Sequence, residues 1–306
     1  MAASGSASRT VIIAGGRGAI GRALSRWLYD RGYTVVVLTR HPVHSTPSWI
    51  RYEQWDGQTP GRWTSLLPTA CALVNLTGKS LFTFWTKRTK QQIWDSRVRT
   101  TQLLATAVRQ YAPDSFTFIS ASAIGYYGNL GERECDEQCP PGNDFLARLC
   151  IAWEDAAMQA AERKDIRVVI PRIGIVLQPD AGFLHLLRRS YRYGLCAYPG
   201  DGRQWISWIH IQDLIRSIDA AITQPWNGVY NAVAPQPVQL RQLIATLAQH
   251  LHRCPGIPIP PALLRLLGET ATLALSSQQI RPVRLQQWGF SFQFPDLATA
   301  LHSLLS

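Results

Sequence analysis

Three glycines open the chemistry of this chain. Gly15, Gly18 and Gly21 follow the apolar run Val11–Ala14 and precede a helical pattern with Ile20, Leu24, Trp27 and Leu28 on one face. In such a turn the first glycine permits the tight exit from the strand, the second lets the backbone approach a pyrophosphate, and the third lets the helix pack close to the sheet. The helix start then offers free N–H groups and the positive end of its dipole to phosphate. Glycine spacing alone is weak evidence; the strand–turn–helix context makes it a dinucleotide site. A site built for NAD places Asp or Glu after the second strand, on the ribose 2′-hydroxyl. No acidic residue occurs from Arg31 to Tyr52, and the second strand ends in Thr39-Arg40. A guanidinium there would pair with a 2′-phosphate, with Arg17 as helper. The residues favour NADP(H) over NAD(H); the competing reading of Arg40 is a solvated strand-end charge. Gly78-Lys79-Ser80 resembles the end of a phosphate loop, but that motif needs Gly five residues earlier, where Leu73 stands.

These residues need a frame. Tyr33–Leu38 is a second strand, entered through Gly32 as a helix C-cap, and completes a βαβ unit. The alternation continues with strands at Ile50–Gln54, Cys71–Leu76, Phe116–Ser120 and Ile166–Leu177, and helices at Thr89–Tyr111 and Asp144–Arg163. The fold class is α/β, a doubly wound parallel Rossmann sheet covered on both faces, with a smaller C-terminal substrate lobe. The texture changes after Gln178, where Gly, Tyr, Arg and Trp dominate Gly182–Trp208. Helices at Asp213–Thr223, Leu240–His252 and Leu297–Leu305 and a short strand at Gly228–Asn231 follow. The domain reading is a disordered tail over residues 1–8, a nucleotide-binding domain over 9–178 with 205–233, and a small lobe over 179–204 with 234–306.

Composition bounds the function. The chain has 306 residues, 46% of them hydrophobic and 17% charged, below the ~25% charged that is typical. No stretch reaches the ~18 apolar residues of a membrane span, and the first residues carry no basic-then-apolar signal pattern. The expected location is cytoplasmic. Net charge is +11, and the 31 basic residues include only four Lys (79, 87, 90 and 164), leaving 27 Arg. Arg grips phosphate bidentately, yet these are dispersed, with no basic helix, zinc finger or aromatic-basic motif, which argues against nucleic acid. The six Cys do not resemble a disulfide scaffold. Cys135 and Cys139 could form half of a metal site, but no second pair follows, and no metal is assigned. Self-association is left open.

The chain resembles an atypical extended short-chain dehydrogenase/reductase, of the epimerase-family branch related to NAD-dependent epimerase/dehydratases. The segments that carry the resemblance are Gly15–Gly21, Asn75–Gly78, Trp85-Thr86, Ser96–Val98 with Thr101, Ser120–Gly128, Trp153-Glu154, Arg172–Leu177, Gly202–Gln204, Trp208–Asp213 and Tyr230–Pro235. The resemblance implies that Asn75, Leu76, Thr77 and Gly78 lie along the adenosine and ribose. It implies that Ser122 hydrogen-bonds a substrate oxygen and that Arg172 and Gly174 border the nicotinamide. Ile20 and Thr39 belong to the cofactor crevice. One departure matters. Relatives that catalyse use Tyr-x-x-x-Lys, and none of the ten Tyr here has Lys four residues later. Phe145 or Leu146 stands where that Tyr would be, and Leu149 or Cys150 where the Lys would be.

Tyr126 and Tyr127, in the loop after the fifth strand, are the substitute proton donors; without a nearby Lys their pKa should stay near the reference ~10. His210 reads as a buried structural histidine, Asp213 as a helix cap, and Glu154 as facing solvent or an Arg. Two functions follow: an NADP(H)-dependent oxidoreductase or epimerase on an unknown small polar substrate, or a non-catalytic NADP(H)-binding scaffold or redox-responsive regulator of a protein partner.

Overall fold

The computed structural model describes residues 9–41 and 47–306; the tail expected over residues 1–8 lies outside the described residues. Its frame is a parallel sheet. The strands are β1 (Thr10–Ala14), β2 (Thr34–Thr39), β3 (Arg51–Gln54), β4 (Ala70–Asn75), β5 (Thr117–Ser120) and the two-residue β6 (Ser122–Ala123) and β7 (Glu134–Cys135). They continue with β8 (Arg167–Ile173), β9 (Ile175–Leu177), β10 (Ala197–Pro199), β11 (Trp205–Ile206), β12 (Trp208–His210) and β13 (Gly228–Ala232). The main sheet runs β13-β8-β5-β4-β1-β2-β3, with β6 beside β8, and every pairing in it is parallel. The strand order reverses beside β1, which opens a crevice at the carboxyl edge there, the usual ligand position in such sheets.

The strands are apolar on both faces because helices cover both. Val11, Ile13, Val35 and Val37 face one core with Leu24 and Leu28 of α1 (Ala19–Asp30) and, from a later helix over Ile211–Thr223, Leu214 and Ile218. Ile12, Ala14, Val36 and Leu38 face the other. Between β4 and β8 the chain forms α2 (Lys87–Asp95), α3 (Val98–Tyr111) and α4 (Phe145–Met158). After β9 come α5 (Gly182–Arg192), then α6 (Ile211–Thr223) and α7 (Leu240–His250). A third core joins Leu184 and Leu187 of α5, Leu243 and Leu247 of α7, and Leu297 and Leu301 of the last helix, Leu297–Leu305.

The sequence reading differs in three places. The long helix over Thr89–Tyr111 is two helices. Ser96 turns its hydroxyl back onto the Ile93 carbonyl at 2.9 Å and accepts the Lys79 N–H, and Arg97 N bonds the Trp94 carbonyl instead of continuing the α-helical pattern. The strand over Ile166–Leu177 divides at Gly174, and β9 leaves the main sheet to pair with β12. The Gly- and Arg-rich stretch contains α5, whose Leu184, Leu187 and Tyr191 are buried at helical spacing, a periodicity that its unusual composition conceals. No helix among the described residues is long and apolar enough to cross a membrane.

Candidate functional site

The glycine turn lies at the carboxyl end of β1. Gly15 adopts φ +84°, and a Cβ there would lie 2.6 Å from the Leu76 carbonyl oxygen. A Cβ on Gly21 would meet Gly16 Cα at 2.5 Å, so α1 reaches the strand only because this position is bare. Gly18 is different: a Cβ would touch only the Gly15 carbonyl, at 3.3 Å, and its far side is open. Gly18 is the N-cap of α1. Among the described residues no side chain caps the helix, and no acid occupies its first turn, so its opening N–H groups and positive dipole end are left for an anion. Ile20 is half-buried and packs against the core beneath the turn.

Arg17 and Arg40 emerge from the same edge of neighbouring strands, since Ala14 pairs with Leu38. Both are exposed, and neither has an ion-pair partner among the described residues. Nearby Arg26, Arg31 and Arg51 pair instead with Asp30, Asp219 and Glu53. Thr39 is buried and bonds the His41 carbonyl at 3.1 Å. The next strand end is rigid for another reason. Asn75 is fully buried; its amide donates to Thr101 and Ser120, and its carbonyl oxygen accepts the N–H and hydroxyl of Thr77. Leu76 is tied to Ala14 by its N–H. Gly78 carries the Arg97 guanidinium directly against it, where a Cβ would come within 2.9 Å of Cζ. Arg97 has no acidic partner among the described residues, lies over the Trp153 ring at 5.3 Å and donates to the Lys79 carbonyl. Burial lowers its pKa to about 10, so it remains a cation at neutral pH.

The loop after β5 builds a closed network. Ser122 donates to Glu154 Oε1 at 2.6 Å. Arg172 grips the same carboxylate with Nε and Nη2, at 2.8 and 2.7 Å, and donates from Nη1 to the Tyr127 hydroxyl at 3.0 Å. Tyr127 donates to Asn231 Oδ1 at 2.7 Å. All five residues are buried. Burial alone would lower the Arg172 pKa; the bidentate carboxylate outweighs it and the net shift is upward. Burial pushes Tyr127 up to about 12, against the pull of Arg172. The expectation that both phenols stay near ~10 therefore fails for Tyr127, because a buried phenolate is poorly solvated. Tyr126 is placed otherwise. Its half-buried ring lies under the Arg172 guanidinium, with Cζ 3.3 Å from the centroid, and its hydroxyl has no hydrogen-bond partner among the described residues. Of the three candidates, Ser122 and Tyr127 are committed inward and Tyr126 carries the free phenol.

Other residues settle into structural places. Gly174 lets the chain cross Ser207 and Val233, each 2.7 Å from where its Cβ would stand. Cys150 is buried, and burial, with Glu154 beside it, raises its thiol to about 12, so it supplies no base where the Lys would be. His210 itself caps α6: Nδ1 accepts the Gln212 N–H, the ring stacks on Phe294, and burial lowers its pKa to about 4. Asp213, expected as that cap, instead accepts the N–H groups of Gln293 and Phe294 and pairs with Arg216. Glu154 takes the Arg alternative of its two readings. Asn231 and Arg97 were not singled out as site residues. A buried Arg at a strand end was the available signal for an acid opposite it, but nothing local marks the distant Asn231. Cys135 and Cys139 are bonded to each other. A groove of about 600 Å³, apart from this crevice, runs between α5 and the end of α7, lined by Arg188, Arg189, Arg192 and Arg253 among others.

A parallel sheet with its glycine turn at the strand-order reversal defines a Rossmann-type protein of the short-chain dehydrogenase/reductase kind. The chain belongs to the NAD dependent epimerase/dehydratase family, whose sequence profile matches residues 11–233; a profile described as a domain of unknown function, DUF1731, matches residues 259–304. It is 34% identical to the "Epimerase family protein SDR39U1 homolog, chloroplastic" of Arabidopsis thaliana, over 97% of this chain and 86% of that protein. It is 33% identical to the epimerase family protein YfhF of Bacillus subtilis, over 97% and 98%. The crystal structure of human epimerase family protein SDR39U1 (isoform 2) with NADPH superposes with a TM-score of 0.84 at 30% identity, covering 97% of this chain and 99% of that one.

Proposed function

We propose that the chain is an NADP(H)-dependent oxidoreductase, or an epimerase-like enzyme working through the same cofactor, that acts on a small polar substrate. The observation that carries this reading is the pair of exposed guanidiniums, Arg17 and Arg40, without an ion-pair partner among the described residues, beside a helix start that no described side chain caps, in a stretch with no carboxylate to claim a ribose 2′-hydroxyl. The human relative crystallised with NADPH supports it. The open face of Gly18 and the N–H groups of α1 would hold the pyrophosphate, and Arg17 and Arg40 the 2′-phosphate. When bound, the dinucleotide supplies hydride. Tyr126 would hold the proton for the substrate oxygen, with the Arg172 guanidinium over its ring, and Ser122 would be a positioning residue, its hydroxyl fixed by Glu154.

One observation favours a second reading, a non-catalytic NADP(H)-binding regulator: the Ser122 and Tyr127 hydroxyls are both closed on internal partners. Both readings require the cofactor. Losing a charge-assisted contact to phosphate costs roughly 1.5–3 kcal/mol, about 10- to 150-fold in affinity. Arg40→Ala should therefore weaken NADPH by that factor in a fluorescence titration and leave NADH nearly unchanged. Equal loss for both cofactors would remove the 2′-phosphate assignment.

A further inference from the structure

Of the six cysteines, Cys71, Cys150, Cys196 and Cys254 are free, and Cys135 and Cys139 are joined. The bridge spans a sequence separation of only four residues. So short a ring removes little freedom from the unfolded chain, and its effect is local. What it shapes is the position of Glu137, the central residue of the loop. Glu137 Oε1 accepts the Asn231 N–H at 2.9 Å and the Arg284 N–H at 3.3 Å. Asn231 lies on β13, the edge strand of the main sheet, so this backbone N–H has no strand beyond it and the carboxylate takes that place. The Asn231 side chain in turn accepts the Tyr127 hydroxyl, which accepts from Arg172. A run of three hydrogen bonds thus joins the bridged loop to the buried ion pair of the candidate site.

The two sulfurs differ. Cys135 is buried at the end of β7, while Cys139 is half-buried, with Arg133 Nη2 3.7 Å from its sulfur. We propose that Cys135–Cys139 is a thiol–disulfide exchange site for a dithiol reductant, and that its redox state sets how firmly Glu137 and Asn231 hold Tyr127 and the Arg172–Glu154 pair. One thiolate of the reductant attacks the accessible Cys139 sulfur. The S–S bond breaks, and Cys135 leaves as thiolate and takes up a proton. The second thiolate of the reductant then attacks the mixed disulfide and releases Cys139, whose thiolate Arg133 stabilises until it too is protonated. Two electrons and two protons pass to the pair, and the reductant ends as its own disulfide. Opening the ring frees the loop backbone and loosens Glu137 from the β13 edge. The link to catalysis rests on the proposed function; the switch itself does not.

The test uses the full chain, treated with dithiothreitol or with oxidised glutathione. Differential alkylation and mass spectrometry read each cysteine, and hydrogen exchange reads the peptide containing residues 228–232. Cys135 and Cys139 should change state together while Cys150 stays unlabelled, and exchange at Asn231 should quicken at least tenfold on reduction. Cys139→Ser, and separately Glu137→Gln, should exchange at the reduced rate under both treatments. Free thiols at 135 and 139 under oxidising conditions, or unchanged exchange on reduction, overturn the proposal. Hydrogen exchange needs no cofactor. If NADPH fails to bind while the exchange response persists, the proposed function falls and the switch stands; if NADPH binds while the response is absent, the switch falls alone.

Discussion

Replacing Glu154 by Ala should be among the most damaging single changes in this chain. The carboxylate accepts three hydrogen bonds, two from Arg172 and one from Ser122, and the two charged side chains are 9% and 5% exposed. A guanidinium cannot escape by losing its proton at accessible pH, so Arg172 would be left charged and buried without its counter-ion. Removing one partner of such a pair costs about 3–5 kcal/mol, a factor of roughly 150 to 5,000 in the folding equilibrium. With an unfolding entropy of ~2.1 cal/mol/K per residue over 306 residues, that lowers the melting temperature by about 5–8 °C. The pair as a whole is worth far less, because burying two charges offsets most of their attraction. The double variant Glu154→Leu with Arg172→Met should therefore melt within about 2 °C of the parent. Scanning calorimetry on the parent, Glu154→Leu, Arg172→Met and the double variant closes the thermodynamic cycle. If Glu154→Ala melts with the parent, or the double variant melts as low as the single, the network does not hold the charge as described.

Acid should unfold the protein partly through His210. Its folded pKa is about 4 against 6.5 in the unfolded chain because burial disfavours the imidazolium. The stability it contributes is complete above pH 6.5 and is lost as pH falls towards 4, at about 1.4 kcal/mol per pH unit. His210→Asn keeps an acceptor for the α6 cap and should flatten urea midpoints between pH 6.5 and 4.5; an unchanged pH slope would assign the acid sensitivity elsewhere. The two tyrosines should separate. Tyr127→Phe removes the donor to Asn231 and should cost about 1–3 kcal/mol in urea denaturation, whereas Tyr126→Phe should stay within ~0.5 kcal/mol and be the variant that loses NADPH-linked turnover; the reverse pattern would exchange their roles. Gly21→Ala forces a backbone contact at 2.5 Å and should cost about 1–3 kcal/mol by circular-dichroism melts. Gly18→Ala should melt near the parent yet weaken NADPH, and equal melting losses would contradict the open face at Gly18.

The frame was legible because its signals are local. β1, the glycine turn, α1 and β2 announce themselves by apolar run, spacing and amphipathic period, and a doubly wound sheet follows from strands alternating with helices. Helix ends were less so. Ser96 stops a helix with its own hydroxyl, a choice that a strong helical period on both sides masks. In the crevice, Gly15, Gly18 and Gly21 could be sorted in advance by mechanical role, but the site around Ser122 could not. Its members, Ser122, Tyr127, Glu154, Arg172 and Asn231, come from five separate elements, so its geometry depends on how those elements pack. Burial then decides which hydroxyls remain available, and a sequence holds no direct record of burial. His210 is the buried histidine with a backbone partner that was expected, but the reading of Asp213 as the helix cap fails for the same reason. Either residue type can cap a helix, and only the return of residues 293–294 to Asp213 decides between them.

That return has a consequence for how the chain is made. Asp213 holds the backbone of Gln293 and Phe294, Leu285 is buried in the same core as Val11 and Leu214, and Trp288 stacks on Trp226 at 4.9 Å. One face of the nucleotide-binding sheet is therefore finished by residues that lie within the second sequence profile, not the first. On a ribosome adding ~5–20 residues per second, the roughly 60 residues after position 233 take about 3–12 s to emerge. Through that interval the nascent sheet waits with Trp226, Tyr230 and the outer side of α6 uncovered, a surface suited to a chaperone. A fragment cut at the boundary between the two profiles would keep that exposure for good, so the last segment acts for the first as a lid delivered late in synthesis.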